Sequence, residues 1–316
     1  MRPAVLITDC DHPNVDVERE VLHAAGLEVR LAQCSTDDEV IEAGRGVAAL
    51  IVQYAPITRG VFEALPECRV VSRYGVGLDT IDVEAAEEHG VRVLAVPDYC
   101  VDEVSDHALA LILALTRGVV RLDRAVHSGR WDAFAAGKLR RTGTLQLGVI
   151  GAGRTGRALA AKAKAVGFSV VAHDPYLTDV PGLELVDLGR LLATSAVISL
   201  HAPLLETTRH LIDDAALRMM RPGAFLVNTA RGGLVDTTAL VAALRDGRLG
   251  GAGLDVLEAE PLQRDDPLLT LPTLVLTPHA AFYSEESIEE LSRRAAEGVV
   301  AALIDVQPTV AKEVPS

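Results

Sequence analysis

Leu145-Gln-Leu-Gly-Val-Ile150 is an apolar run, and Gly151-Ala152-Gly153-Arg154-Thr155-Gly156 follows it directly. An Ala-rich helical stretch then continues to about Gly167, a second apolar run occupies 169–172, and Asp174 stands at its end. Each part has a mechanical task. Gly151 permits a tight turn, Gly153 lets the backbone approach a pyrophosphate, and Gly156 allows close packing of helix on strand. The helix N-terminus offers unpaired N–H groups and the positive end of its dipole to the anion. Arg154, inside the turn, is placed to reach the same phosphates. Asp174 would accept from ribose hydroxyls and repel a 2′-phosphate, which favours NAD over NADP. Three glycines at this spacing are a weak signal alone, but here the strand, the helix, the second strand and the terminal acid all accompany them.

The pattern around this segment is consistent with it. Short apolar runs at 4–8, 27–31, 48–52, 70–72 and 91–95 alternate with turns and helix-like stretches such as 17–25. Strands alternating with helices predict βαβ units and a parallel sheet. After Pro97, Asp102-Glu103-Val104-Ser105 reads as a helix start, and the apolar stretch 108–116 predicts a helix buried on most sides. Such a helix serves either a core or a second subunit. A second alternating series runs from 145 to about 277, and Ile288, Leu291, Ala295, Val299 and Leu303 recur at helical spacing over 285–303.

With 316 residues, the chain is long enough for about two domains. Its 44 acidic and 30 basic residues give a net charge of −14, which repels a phosphate backbone overall. Phe, Tyr and Trp number 5, 5 and 1, too few for a base-stacking surface, so direct nucleic-acid binding is not expected. Cys10, Cys34, Cys68 and Cys100 form no Cys-x-x-Cys pair and have no paired histidines nearby, which predicts reduced thiols and no zinc. Asp9-Cys-Asp-His12 reads as a polar loop after the first strand, and no metal site is expected. The run before Asp9 is too short for a signal peptide, and the longest charge-free run, 191–205, contains His201 and Pro203. The expectation is a cytoplasmic protein with no membrane span.

Three later segments each begin with an apolar strand and end in polar residues, where a doubly wound sheet places its ligands. They are 197–200 before His201-Ala202-Pro203, 224–227 before Asn228-Thr229-Ala230-Arg231, and 274–276 before Thr277-Pro278-His279. A shorter one, 251–255, leads to Glu260-Pro261. Together they bring Arg, Glu, Asp and His to one edge. That set suits carbonyl reduction: a cation for a carboxylate and a developing oxyanion, and an acid paired with a carboxylate. His201 is read as shaping a loop rather than as the acid. The signatures of serine hydrolases and of triphosphate-binding loops are missing from the sequence.

At these residues the chain resembles the D-2-hydroxyacid dehydrogenase family over nearly its full length. The strings are Ser72-Arg-Tyr-Gly-Val-Gly-Leu-Asp-Thr-Ile-Asp82, the Gly151 fingerprint, His201-x-Pro203 with Thr207, Asn228-Thr-Ala-Arg-Gly-Gly-Leu-Val-Asp236, Gly253-Leu-Asp-Val with Glu260-Pro261, and Thr277-Pro-His279. Three strings, 174–177, 223–228 and 277–285, are most similar to the C-terminal binding protein branch, which carries Trp where this chain has Phe282. The resemblance implies that Arg231 holds the substrate carboxylate and carbonyl oxygen, that His279 is the proton donor or acceptor, and that Glu260 hydrogen-bonds His279. It implies that Arg73, Gly75, Val76 and Gly77 meet the substrate carboxylate, with Val76 also touching the cofactor, and that Phe282 borders the substrate side chain. For NAD it implies Gly151, Gly153, Arg154, Thr155, Gly156, Asp174, Ala202, Pro203, Thr207, Thr229, Ala230 and Asp255.

Family members that oxidise formate carry Gln at the position of Glu260, so this chain is expected to work on a small 2-ketoacid or 2-hydroxyacid. The implied fold is α/β with two doubly wound parallel-sheet domains. A Rossmann NAD-binding domain, 99–284, is inserted in a flavodoxin-like substrate domain, 1–98 plus 285–316, and the Asp102 helix serves a homodimer. A different reading, also carried by the resembling branch, is an NAD(H)-sensing, corepressor-like interaction protein with little turnover.

Overall fold

The computed structural model describes residues 3–304, so residues 1–2 and 305–316 of the expected substrate domain lie outside the described residues. The chain divides into two compact units, one running up to Tyr99 and resuming at Ser284, the other spanning Cys100–Tyr283.

The first unit is built on a five-stranded, all-parallel sheet. Its strands are β1 (Ala4–Ile7), β2 (Glu28–Leu31), β3 (Val47–Val52), β4 (Val70–Arg73) and β5 (Arg92–Leu94), in the order β2-β1-β3-β4-β5. Between them run α1 (Asp16–Ala24), α2 (Asp37–Ala43), α3 (Arg59–Ala64) and α4 (Val83–Glu88). Every residue of β1 and β3 is buried, as a parallel sheet covered on both faces requires. The strand expected at 91–95 contracts to the three half-buried residues of β5, because it lies at the sheet edge.

The second unit opens with α5 (Val101–Thr116) and α6 (Val119–His127), the latter unforeseen in the sequence pattern. Its sheet contains β6 (Gln146–Ile150), β7 (Ser169–His173), β8 (Glu184–Leu185), β9 (Val197–Leu200), β10 (Ala224–Asn228), β11 (Leu249–Leu254) and β12 (Leu274–Leu276). The helices between them are α7 (Arg154–Ala165), α8 (Leu188–Thr194), α9 (Asp214–Met219) and α10 (Thr237–Arg245). Strand order is β12-β11-β10-β9-β6-β7-β8, again all parallel. Asp187, Asp213 and Asp236 cap α8, α9 and α10, each accepting from the backbone N–H three residues on. The two halves of the winding part between β6 and β9, where a doubly wound sheet leaves a crevice at its carboxyl edge. Helix α5 packs on α7 and on β10 and β11, and Ala108, Leu111, Ile112 and Leu115 enter the core.

The last helix, α11 (Glu285–Ile304), belongs to the first unit. Leu291, Ala295 and Val299 are buried, and the Ser72 hydroxyl donates to the Ala295 carbonyl at 3.1 Å. Among the described residues no helix is long and apolar enough to cross a membrane.

Candidate active site

The fingerprint turn sits at the crevice between β6 and β9. Gly151 has φ +94°, and a Cβ there would stand 2.6 Å from the carbonyl carbon and oxygen of His201. A Cβ at Gly156 would stand 2.0 Å from the Gly151 carbonyl oxygen, so helix α7 leaves the strand at a separation only glycine allows. The N-cap of α7 is Gly153, which supplies no side-chain cap, so the first amides of a twelve-residue helix remain available to an anion. Asp174 stands just beyond β7 and closes the turn. Its Oδ2 accepts from Ala152 N–H at 2.9 Å and its Oδ1 from Tyr176 N–H at 3.0 Å.

Further along the same edge, the buried Thr229 hydroxyl has no hydrogen-bond partner among the described residues. It lies on the expected cofactor loop. An orphaned hydroxyl, bare helix amides and a glycine-walled turn together fit a dinucleotide. Arg154, Pro203 and Thr207 are exposed, while Thr155, Ala202 and Ala230 are half-buried. Burial pushes the His201 imidazole down to about 4, and Ser199 Oγ lies 2.9 Å from its Nε2, so His201 stays neutral and shapes its loop.

Arg231, Glu260 and His279, the residues expected to carry the acid–base chemistry, lie beyond the ends of β10, β11 and β12. His279 Nδ1 lies 2.8 Å from Glu260 Oε2, and Glu260 Oε1 accepts from Leu257 N–H at 2.7 Å. Burial of the Glu260 carboxyl raises its pKa, but hydrogen bonds from His279 and Leu257 and the charges of His279 and Arg231 outweigh it and hold it below the usual carboxylate range. His279 adopts φ +53°, a left-handed conformation unusual for a residue with a Cβ. The cost is offset by its N–H donating to the Asp255 carbonyl at 2.8 Å. Its ring meets Phe282 edge to face, with centroids 6.4 Å apart.

Asp255 is 2% exposed, and both its carboxylate oxygens are committed to the His279 segment. Oδ1 accepts from the Thr277 hydroxyl at 2.6 Å and from Ala280 N–H at 2.9 Å, and Oδ2 from Ala281 N–H at 2.9 Å. His107 on α5 adds a partner that sequence reasoning missed, with Nε2 2.9 Å from the Thr277 hydroxyl. Asn228, quoted in the sequence without a role, braces the arginine. Its Nδ2 donates to the Arg231 carbonyl at 2.9 Å and its Oδ1 accepts from Ala230 N–H at 3.0 Å. A second pair was also missed: His210 Nε2 lies 2.6 Å from Glu258 Oε1, and Glu258 Oε2 accepts from Thr237 N–H at 2.9 Å.

Arg73, Gly75, Val76 and Gly77 belong to the first unit, at and just beyond the end of β4, where Val76 is exposed.

Residues 109–281 match the profile of the D-isomer specific 2-hydroxyacid dehydrogenase NAD-binding domain. The chain is a member of that family. It is 42% identical over 257 residues to glyoxylate reductase of Korarchaeum cryptofilum, a match covering 78% of this chain and 76% of that protein. It is also 42% identical over 259 residues to (S)-sulfolactate dehydrogenase of Chromohalobacter salexigens, covering 80% and 84%. Among solved structures, D-lactate dehydrogenase of Aquifex aeolicus with NAD and lactic acid superposes with a TM-score of 0.86, at 29% identity, covering 95% of each chain. The fold and these relatives make this chain an NAD-dependent D-2-hydroxyacid dehydrogenase with a Rossmann NAD-binding domain.

Proposed function

We propose that this dehydrogenase reduces a small 2-ketoacid to a D-2-hydroxyacid with Arg231, Glu260 and His279 as its reacting set. The observation that carries the reading is the 2.8 Å contact of His279 Nδ1 with Glu260 Oε2. With Nδ1 committed to the carboxylate, Nε2 is the nitrogen that exchanges a proton with the substrate oxygen. NADH, when bound, supplies the hydride to C2. Arg231 draws the substrate carboxylate and carbonyl oxygen to its guanidinium, and His279 hands one proton to that oxygen as it becomes an alcohol. Glu260, ionised at neutral pH, holds the ring in one tautomer and balances the imidazolium that donates. The bare amides of α7 with Gly151, Gly153, Arg154, Thr155 and Gly156 would hold the pyrophosphate, Asp174 the ribose, and Ala202, Pro203, Thr207, Thr229 and Ala230 the remainder, while Asp255, its carboxylate committed to the 277–281 segment, would act through that segment.

The resemblance assigns the substrate carboxylate to Arg73 and to the backbone of 75–77 as well, and gives Phe282 a part in choosing the side chain. The likeness of 277–285 to the C-terminal binding protein branch supports a sensing role, but the intact acid–carboxylate pair favours turnover. We further infer a cytoplasmic homodimer. Trp131 is 91% and Phe134 84% exposed on the loop after α6, two large apolar side chains that suit association with another copy.

The deciding experiment is NADH oxidation by the purified protein with glyoxylate and with 2-ketoacids bearing aliphatic, aromatic, branched and sulfonated side chains. Turnover with one of them supports the proposal. NADH binding with no turnover on the whole set would replace it with the sensing role.

A further inference from the structure

The first unit holds a buried acid–base cluster that the proposed chemistry does not use. Glu18, on α1, is 0% exposed. The Tyr74 hydroxyl donates to its Oε1 at 2.6 Å, and His12 Nε2 stands 3.5 Å from the same oxygen. The His12 and Tyr74 rings meet edge to face, with centroids 5.3 Å apart. A carboxylate is expensive to bury, and its retention needs a reason beyond packing. Neither Glu18 Oε2 nor His12 Nε2 has a hydrogen-bond partner among the described residues, so His12 meets Glu18 only through the 3.5 Å approach of Nε2 to Oε1.

The cluster's protons follow from its geometry. His12 Nδ1 lies 2.7 Å from the Asn14 carbonyl oxygen, which can only accept, so Nδ1 carries a hydrogen. Nε2 is the ring nitrogen on the Glu18 side, 3.5 Å from Oε1. Tyr74 keeps its proton, because burial and the neighbouring Glu18 push its phenol far up. The facing thiol of Cys10 is pushed up to about 11 by burial and by Glu18, Asp9 and Asp11, and is neutral. Asp9 is committed elsewhere, accepting from the Thr8 hydroxyl and from the N–H groups of Gln53, Tyr54 and Ala55.

Tyr74 lies between Arg73 and Gly75, inside the segment assigned to the substrate carboxylate. Its N–H donates to the Val52 carbonyl at 2.8 Å, and the Gly75 carbonyl accepts from Val96 N–H at 3.0 Å. Gly75 has φ +135°, and a Cβ there would stand 1.9 Å from Arg73 Nη1, so the guanidinium folds over the glycine itself. The main chain is thus pinned on both sides of Tyr74, and Glu18 fixes where its side chain points. We infer that Glu18, acting through Tyr74 with His12 behind it, positions the Arg73–Gly77 segment for a substrate carboxylate. This rests on the assignment of that segment made above.

The test uses the full chain loaded with NADH. Calorimetry measures the Kd of oxamate, a ketoacid mimic, and kinetics measure KM and kcat for the best ketoacid. Tyr74→Phe, Glu18→Gln and the double variant are compared with Arg73→Ala, and NADH affinity and melting temperature are followed in each. Tyr74→Phe is expected to raise the oxamate Kd and KM about tenfold with kcat within about threefold, the loss of one good hydrogen bond. The double variant is expected to match Tyr74→Phe, because the two residues act as one. If Arg73→Ala raises Kd and KM while Tyr74→Phe and Glu18→Gln change only the melting temperature, the cluster is a structural prop and the inference falls alone. If Arg73→Ala leaves Kd and KM unchanged, the carboxylate assignment falls and takes the inference with it.

Discussion

Replacing Glu260 by Gln tests the acid–base assignment with little change of shape. The wild-type carboxylate serves two donors, His279 Nδ1–H at 2.8 Å and Leu257 N–H at 2.7 Å, one on each oxygen. An amide offers one oxygen. If that oxygen keeps Leu257, the amide NH2 meets Nδ1, and the ring must present a lone pair there, which disfavours the doubly protonated imidazolium that delivers a proton from Nε2. If it keeps His279, Leu257 N–H is stranded. Hydrogen bonds to charged groups are worth about 1.5–3 kcal/mol, and about 1.4 kcal/mol is tenfold in rate. The His279 and Glu260 side chains are 32% and 35% exposed, so water screens the pair and the lower half of that range applies. The expected loss in kcat is therefore about 10- to 50-fold, read from NADH absorbance at saturating ketoacid. NADH affinity should hold, because Glu260 is not among the residues assigned to the cofactor. A Glu260→Gln enzyme with kcat within twofold of wild type and an unchanged melting temperature would refute the assignment.

Arg231→Lys keeps the charge but loses the planar fork, and kcat/KM for the ketoacid is expected to fall about 100-fold in the same assay. Gly151→Ala forces a side chain into a positive-φ site against the His201 backbone; a loss of about 1–3 kcal/mol in chemical denaturation and weakened NADH binding by fluorescence titration are expected. His201 is neutral in the fold down to about 4 but takes a proton near 6.5 when unfolded. The unfolded state therefore binds more protons between those values, so its stabilising contribution is full above about 6.5 and is lost as pH falls toward 4, by at most about 1.4 kcal/mol per pH unit. Melts of wild type and His201→Asn across that window should converge at low pH. Glu260 gives the carboxylate counterpart: its depressed folded value means stability present above the ordinary Glu range and lost as pH falls through it, a loss that Glu260→Gln should not show.

The fold was legible because its signals are local. The glycine fingerprint, the apolar runs of buried parallel strands and the polar residues at their ends depend only on neighbours in sequence, and β9 and β12 fall where the runs lie. The two-residue edge strand β8 buries too little to leave a pattern, and α6 lacks an N-terminal side-chain cap, starting after Gly118 in a left-handed conformation. In the site, His279 and Glu260 stood out because they lie in short strings that resemble one family, whereas His107 reaches Thr277 across 170 residues and carries no local mark. The buried contacts of Glu18 with Tyr74 and His12 were equally hidden: a glutamate in an otherwise charged helix reads as solvent-facing until the helix is docked.

The carboxylate of Asp174 holds Ala152 N–H, so the glycine turn is latched from the end of the neighbouring strand. On the cofactor reading, the same group rejects a 2′-phosphate. Selectivity and turn geometry are therefore written in one side chain, and redesign toward NADPH is not a single substitution. A change to Ser or Ala that admits the phosphate also unlatches the turn that must grip the pyrophosphate. Affinity for both dinucleotides should drop before preference inverts, unless a new acceptor for Ala152 is introduced with the new cation.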